Sequence, residues 1–326
     1  MKKVLLTGVA GFIGSTTARF LLDSGVEVVG IDNMNNYYDV RLKEHRVEKL
    51  LSSTKGLHFR KLDIEQQEAI EPLFKEHSFD CVINLAARAG VRYSMENPHV
   101  YLSTNTLGTL NLLGLAKDHG VNKFVLASTS SLYAGQKMPF KEDLAVNTPL
   151  SPYAATKKAA EMLCYSYHKL YGIDVNIVRY FTVYGPAGRP DMSIFRFIKW
   201  IDEGTPIVLY GDGEQSRDFT YIDDIAKGTI AAAKNCHGYE VINLGGGNNP
   251  SSINYVIGKL EKLLDKKATF VNKPFHVADL TETHADISKA YKALNWKPQT
   301  SLEEGLEQSV RWYKENKHLV ADMDVM

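Results

Sequence analysis

Lys3-Val-Leu-Leu-Thr-Gly-Val-Ala-Gly-Phe-Ile-Gly14 is the stretch that decides the fold. An apolar run ends in a turn with glycines at 8, 11 and 14, and a helical pattern opens at Phe12. Such a glycine motif is weak evidence alone, but between a strand and a helix it is the turn that cradles a dinucleotide. Gly8 permits the tight turn, Gly11 lets the backbone approach a pyrophosphate, and Gly14 lets the helix pack closely. Phe12 and Ile13 lie in the first helical turn, whose amides supply donors and partial positive charge. Asp32 closes the next apolar run, 18 residues beyond Gly14. A carboxylate there hydrogen-bonds the adenosine ribose and repels a 2′-phosphate, so NAD is expected rather than NADP.

Outward from this turn, short apolar runs alternate with segments of helical period. Strands are expected at Lys3 to Thr7, Val26 to Asp32, Leu57 to Asp63, Cys81 to Leu85, Lys123 to Ser128, Val175 to Tyr180 and Val241 to Leu244. Helices are expected at Phe12 to Ser24, Val40 to Leu51, Gln66 to Lys75, Pro98 to His119 and Pro152 to Tyr171. The pattern predicts an α/β fold, a doubly wound parallel sheet of Rossmann type with helices on both faces, together with a smaller C-terminal α/β substrate domain. At 326 residues, two associated domains are expected: 1–180 plus about 222–247 for the cofactor, and about 181–221 plus 248–326 for the substrate. Ligands of such sheets bind at the carboxyl ends of the strands. Asn33, Asp63, Ile64, Leu85, Ala86, Ala87 and Tyr180 occupy those ends and are expected cofactor contacts. For Asp63 a capping role before Glu65 is the alternative.

Tyr153 and Lys157 stand four apart at the start of a helical segment, so both side chains rise from one face. A phenol is a poor base at neutral pH, but a nearby ammonium and an oxidised nicotinamide favour the phenolate. It would then accept an alcohol proton as hydride leaves. Thr129, in the hydroxyl cluster Ser128-Thr-Ser-Ser131, would hold the alcohol oxygen beside Tyr153 and relay the proton. A Tyr-x-x-x-Lys alone is more often an amphipathic helix with an exposed lysine; the glycine motif and the hydroxyl cluster reverse those odds.

These residues carry a resemblance. The three glycines, Asn84-Leu-Ala-Ala87, Ser128-Thr-Ser-Ser131, Ser151-Pro-Tyr-Ala-Ala-Thr-Lys157, Arg179-Tyr-Phe181 and Arg217-Asp-Phe-Thr-Tyr-Ile-Asp223 resemble the extended short-chain dehydrogenase/reductases, in particular the nucleotide-sugar epimerase and dehydratase group. Within it, Asn35-Asn-Tyr-Tyr-Asp39, Gly90-Val-Arg-Tyr-Ser-Met-Glu-Asn-Pro98 and Phe181-Thr-Val-Tyr-Gly-Pro-Ala-Gly-Arg-Pro-Asp-Met192 look like the UDP-glucuronate 4-epimerases. The resemblance implies Asn105 near the cofactor, Arg92 and Arg217 on the UDP phosphates, Arg189 facing the nucleotide and Asp279 on its ribose. It also implies Thr182 near the sugar carboxylate and Thr283 in the sugar pocket. Ser130 and Ser131 stand where sugar dehydratases carry an Asp-Glu pair and decarboxylases a Glu, which points away from both reactions. The implied activity is epimerisation of UDP-glucuronate to UDP-galacturonate through transient oxidation at carbon 4. A 4-epimerase of neutral UDP-hexoses or UDP-N-acetylhexosamines is the alternative, with a decarboxylase or a silent NAD-binding module further behind.

Composition narrows the partners. Lys plus Arg equals Asp plus Glu at 38 each, so no basic surplus points to nucleic acid or anionic lipid. No apolar run approaches the roughly 20 residues that span a bilayer, and the glycine turn interrupts the apolar start too early for a signal peptide. Cys81, Cys164 and Cys236 are widely spaced and suit a reducing compartment, so a cytoplasmic protein is expected. The ten histidines form no ligand-like spacing, and no metal is expected. The resemblance implies a homodimer formed through the helices near Pro98 to His119 and Pro152 to Tyr171.

Overall fold

The computed structural model describes residues 1–247, 250–275 and 280–325. Seven parallel strands form one sheet, in the spatial order Tyr239–Leu244, Asp174–Tyr180, Lys123–Thr129, Cys81–Asn84, Lys3–Thr7, Glu27–Asp32 and Leu57–Lys61. Side chains alternate across it. Val4, Leu6, Ile83 and Val125 enter one apolar cluster, while Leu5, Val82, Phe124 and Leu126 enter the other. Helices Phe12–Asp23 and Ile222–Lys234 cover the first face; Gln67–Glu76, Gly108–Asp118 and Pro152–Tyr171 cover the second. Both faces are therefore dry, which is why the strands read as continuous apolar runs.

The chain reverses direction across the sheet between Lys3–Thr7 and Cys81–Asn84. Thr7 and Asn84 are register partners there, and the Thr7 hydroxyl donates to Asn84 Oδ1 at 2.7 Å while accepting from the Ala86 amide at 3.0 Å. This is the topological switch point, where a ligand of such a sheet binds.

Beyond Tyr180, helices Ser193–Glu203, Ile253–Leu264 and Leu302–Glu315 pack on one another and continue the first cluster through Trp200, Ile257 and Trp312. Short strand pairs stitch this region together: Thr182–Tyr184 with Phe219–Tyr221, Ile207–Tyr210 with Phe270–Lys273, and Ser216–Arg217 with Ser251–Ser252. Among the described residues no helix is long and apolar enough to cross a membrane, and no group of His, Cys, Asp and Glu has a metal-binding arrangement.

One element departs from expectation. The helix expected from Pro98 to His119 is helical at His99–Tyr101, widens to a π-helix over Leu102–Leu107 and returns to α-helix at Gly108–Asp118. The cause is Asn105, whose amide reaches out of the helix: Oδ1 accepts from the Arg88 amide at 2.9 Å, and Nδ2 donates to the Arg88 carbonyl at 3.0 Å and to Thr156 Oγ1 at 3.1 Å. Such bulges are frequent at functional sites.

Candidate active site

The glycine turn is as tight as the motif requires. Gly8 has φ +68°, and a Cβ on it would lie 2.8 Å from the Ala86 nitrogen; a Cβ on Gly14 would lie 2.0 Å from the Gly8 carbonyl oxygen. Gly11 caps the helix that starts at Phe12 with no side-chain hydrogen bond, whereas Asp39, Ser151, Ser252 and Ser301 each cap the helix that follows them. First-turn amides left without a side-chain cap are the donors an anion meets. Asp32 is buried and held in place: Oδ2 accepts from the Ala10 amide at 3.2 Å, Oδ1 accepts from Met34 at 2.9 Å, and the buried Lys43 ammonium stands 3.6 Å away. Open amides beside a fixed carboxylate, over a floor of glycine and alanine backbone, fit the pyrophosphate and ribose of NAD.

Around this centre the remaining expected contacts divide. Asn33 donates to Asp63 Oδ2 at 2.8 Å, and Asp63 Oδ1 accepts from the Glu65 amide at 3.0 Å, so Asp63 does act as the turn cap. Ile64 is buried against Gly108, where a Cβ would lie 2.5 Å from its Cδ1. Leu85 and Ala86 back the glycine turn, and Ala87 follows them out of the strand. Tyr180 is buried with its hydroxyl bonded to Thr229 at 2.8 Å, which commits the phenol to the protein interior.

Thr129 is the last residue of its strand. Its Oγ1 accepts from the Ser131 amide at 3.1 Å, and its hydroxyl faces that of Tyr153. Desolvation raises the Tyr153 phenol; the Thr129 hydroxyl and the charge of Arg189 oppose that rise. Lys157 Nζ donates to the Ala127 carbonyl at 2.8 Å, and the Arg189 guanidinium is a further cation whose charge reaches Tyr153. Burial pushes Lys157 itself down to about 8, against the opposing charge of Glu161.

Beneath the same helix runs a network that the motifs did not announce. Glu161, with no exposed surface, accepts from Arg179 Nη2 at 2.7 Å, Arg179 Nε at 2.9 Å and Ser128 Oγ at 2.7 Å. Arg179 Nη1 donates to Tyr133 Oη at 2.8 Å, and Tyr133 donates to Asn243 Oδ1 at 2.8 Å. This chain ties Ser128, next to Thr129, to the helix bearing Tyr153. The available signal was spacing: Tyr153, Lys157 and Glu161 repeat every four residues on one helix face.

Above Tyr153 the three family-specific strings converge. Tyr101 is fully buried; its ring stands edge-on to Tyr153 at 6.0 Å, and its hydroxyl donates to the Ala89 carbonyl at 3.2 Å. Tyr37 packs against Tyr93 at 5.4 Å, and a Cβ on Gly90 would lie 2.7 Å from its hydroxyl. The Arg189 guanidinium lies 5.6 Å from the Tyr37 ring and forks onto Asp191 at 3.0 and 2.5 Å. A narrow cavity here is lined by Phe12, Thr182, Gly185, Gly188, Arg189 and Phe219, which joins the glycine-turn helix to the expected sugar side. Ser130 and Ser131 open the 3-10 turn after Thr129. Farther out, Arg92 stacks on Tyr210 at 4.0 Å and Arg217 Nη1 donates to the Ser216 carbonyl at 2.8 Å. Thr283 is buried and accepts from the Asp218 amide at 3.2 Å. Asp279 lies outside the described residues.

Known proteins resemble this chain in sequence and fold. Residues 4–245 match the model of the NAD dependent epimerase/dehydratase family. The chain is 60% identical over 321 residues to a UDP-glucuronate 4-epimerase of Thermodesulfobacterium geofontis, covering 98% of this chain and 99% of that one. It superposes with TM-score 0.89 and 41% identity on the UDP-glucuronic acid 4-epimerase of Bacillus cereus, solved with UDP-glucuronic acid and NAD, across 96% of this chain and 99% of that one. A UDP-glucose 4-epimerase of Thermotoga maritima, solved with UDP-glucose, matches with TM-score 0.86 and 29% identity over 97% and 99% of the two chains. With the glycine turn, the Thr129–Tyr153 pair and these likenesses in agreement, the chain belongs to the NAD-dependent epimerase/dehydratase family.

Proposed function

We propose that this protein is a UDP-glucuronate 4-epimerase that interconverts UDP-glucuronate and UDP-galacturonate. The observation that carries the reading is Thr129 facing the Tyr153 hydroxyl beside an uncapped glycine turn, with Ser130 and Ser131 where an eliminating or decarboxylating enzyme needs acids. Tyr153 accepts the proton of the carbon-4 hydroxyl, and Thr129 holds that oxygen and relays the proton. Lys157, anchored on the Ala127 carbonyl, would hold the nicotinamide ribose. Gly11, Phe12, Ile13 and Gly14 hold the pyrophosphate and Asp32 the adenosine ribose. The chemistry that bound NAD supplies is a reversible hydride acceptor: carbon 4 is oxidised, the sugar turns about its diphosphate linkage, and re-reduction on the opposite face leaves no net redox change.

Oxidation at carbon 4 of glucuronate creates a β-keto acid, which loses carbon dioxide readily. Ser130, Ser131 and Thr182 hold the carboxylate so that its bond to carbon 5 lies near the carbonyl plane, where cleavage has poor orbital overlap. Ser131→Ala is then expected to raise the share of decarboxylated pentose in the product, and an unchanged share would remove the clamp. The reading as a whole is tested by incubating the purified protein with UDP-glucuronate, without added reductant, and following the sugar protons by NMR. UDP-galacturonate is the expected product. A pentose alone would mean decarboxylase, and no change, with turnover on UDP-glucose, would mean a neutral-sugar epimerase.

The division into a cofactor part, 1–180 plus 222–247, and a sugar part, 181–221 plus 248–326, belongs to the same proposal. So does homodimerisation, supported by exposed Leu102, Leu107, Met162 and Leu170 along the expected helices; light scattering at the monomer mass would refute it. Three buried free cysteines suit a cytoplasmic location.

A further inference from the structure

Arg46 belongs to none of the motifs. It projects from helix Val40–Ser53, is 4% exposed, and directs all three guanidinium nitrogens at neutral oxygens. Nη1 donates to the Ala10 carbonyl at 3.1 Å and the Tyr38 hydroxyl at 2.7 Å; Nη2 donates to the carbonyls of Ala187 at 2.6 Å and Gly188 at 3.2 Å; Nε donates to Ala187 at 3.2 Å. No carboxylate is among these partners. Burying a guanidinium this way is tolerated only when its donors are all answered, so the carbonyls are held as firmly as the cation is.

The identity of those carbonyls matters. Ala10 lies inside the glycine turn, directly before Gly11, and its amide also holds Asp32. Ala187 and Gly188 directly precede Arg189, and Ala187 is kept at φ +52°, a left-handed conformation that a residue with a Cβ rarely adopts. One side chain thus fixes the turn that faces the dinucleotide and the loop that carries Arg189 toward Tyr153.

We propose that Arg46 is a positioning residue that makes binding of NAD and binding of the UDP moiety cooperative. Ordering of the glycine turn by the dinucleotide fixes the guanidinium, which fixes the Ala187 and Gly188 carbonyls and with them Arg189; the reverse path is equally open. Linkage makes the effect reciprocal, so each ligand tightens the other by the same factor. A planar fork is required, since an ammonium cannot reach both loops at once with fixed geometry. The second ligand's identity rests on the epimerase reading, but the test does not use turnover.

The test follows exchange of protein-bound NAD for labelled NAD in the holoenzyme, with and without UDP. Wild type is expected to exchange about 5-fold or more slowly when UDP is present, the scale of ordinary coupling. Arg46→Lys is expected to exchange faster, with the UDP effect nearly abolished. A merely structural arginine would speed exchange equally with and without UDP; that outcome, or a wild type indifferent to UDP, overturns the inference while leaving the epimerase reading to the NMR product. Should the variant not fold, hydrogen exchange on the unmodified holoenzyme decides. UDP is expected to increase protection of amides 9–14, and protection confined to residues 185–190 would refute the coupling.

Discussion

The dinucleotide end and the sugar end of this site are made in different ways. At the dinucleotide end the geometry is backbone: glycines whose absent Cβ atoms would strike Ala86 and Gly8, an uncapped helix start, and a strand-end carboxylate held by the Ala10 amide. At the sugar end it is side chain on side chain, with Tyr37, Tyr101, Arg189 and Asp191 brought together from distant segments above Tyr153. Backbone sites depend on local spacing and tolerate no added atom. Side-chain sites depend on the fold and yield to single substitutions by degrees.

The largest effect is expected where the two ends meet. Tyr153→Phe removes the proton acceptor alone, so turnover should fall by about 10²- to 10⁴-fold while bound NAD, read by absorbance after denaturation, stays at the wild-type level. Near-normal turnover would take Tyr153 out of its role. Next, Glu161→Gln leaves buried Arg179 without its charge partner and is expected to lower the unfolding free energy by about 3–5 kcal/mol in urea titration. A loss below about 1 kcal/mol would show the network to be replaceable packing.

A matched pair of glycine substitutions sharpens the contrast between the ends. Gly14→Ala drives a methyl into the Gly8 carbonyl, so NAD retention should be lost along with about 1–3 kcal/mol of stability. Gly90→Ala meets the Tyr37 hydroxyl at a glycine with φ +114°. It should keep NAD and raise the KM for the sugar nucleotide. If both variants lost NAD alike, the two ends would not be separable.

The smallest expected effect is a slope. Lys157 titrates at about 8 in the folded chain against an ordinary value of 10.5, because burial disfavours its charge. Below pH 8 the lysine is charged in both states and the destabilisation is present in full. Between about 8 and 10.5 the unfolded chain binds a proton that the native chain lacks, so stability rises with pH. In NAD-free protein, the difference in unfolding free energy between wild type and Lys157→Met should therefore move in favour of wild type from pH 8 to 10. A flat difference would mean that Lys157 stays charged in the fold.

How much of this was legible in the chain follows the same division. Strand positions were read to within about two residues because apolar runs between turn residues report a sheet buried on both faces. The π-helix was not legible, since Asn105 widens the helix by bonding to Arg88 and Thr156, 17 and 51 positions away. The expectation at Tyr180 came from its place at a strand end; that its phenol turns inward to Thr229, leaving only its backbone facing that end, was not legible. Lys43 and Arg46 belong to no motif, and only the fold buries them against Asp32 and the glycine turn.

The sequence by itself determined the dinucleotide turn, the doubly wound sheet and the Thr129–Tyr153–Lys157 constellation, because each rests on steric or periodic rules acting over a few residues. Only the tertiary structure decided that Arg189 brings a further positive charge to Tyr153, that Glu161 and Arg179 brace the helix bearing Tyr153, and that Arg46 joins the two loops. Those are interactions between charges and dipoles set by distance through space, and distance through space is not ordered by position along the chain.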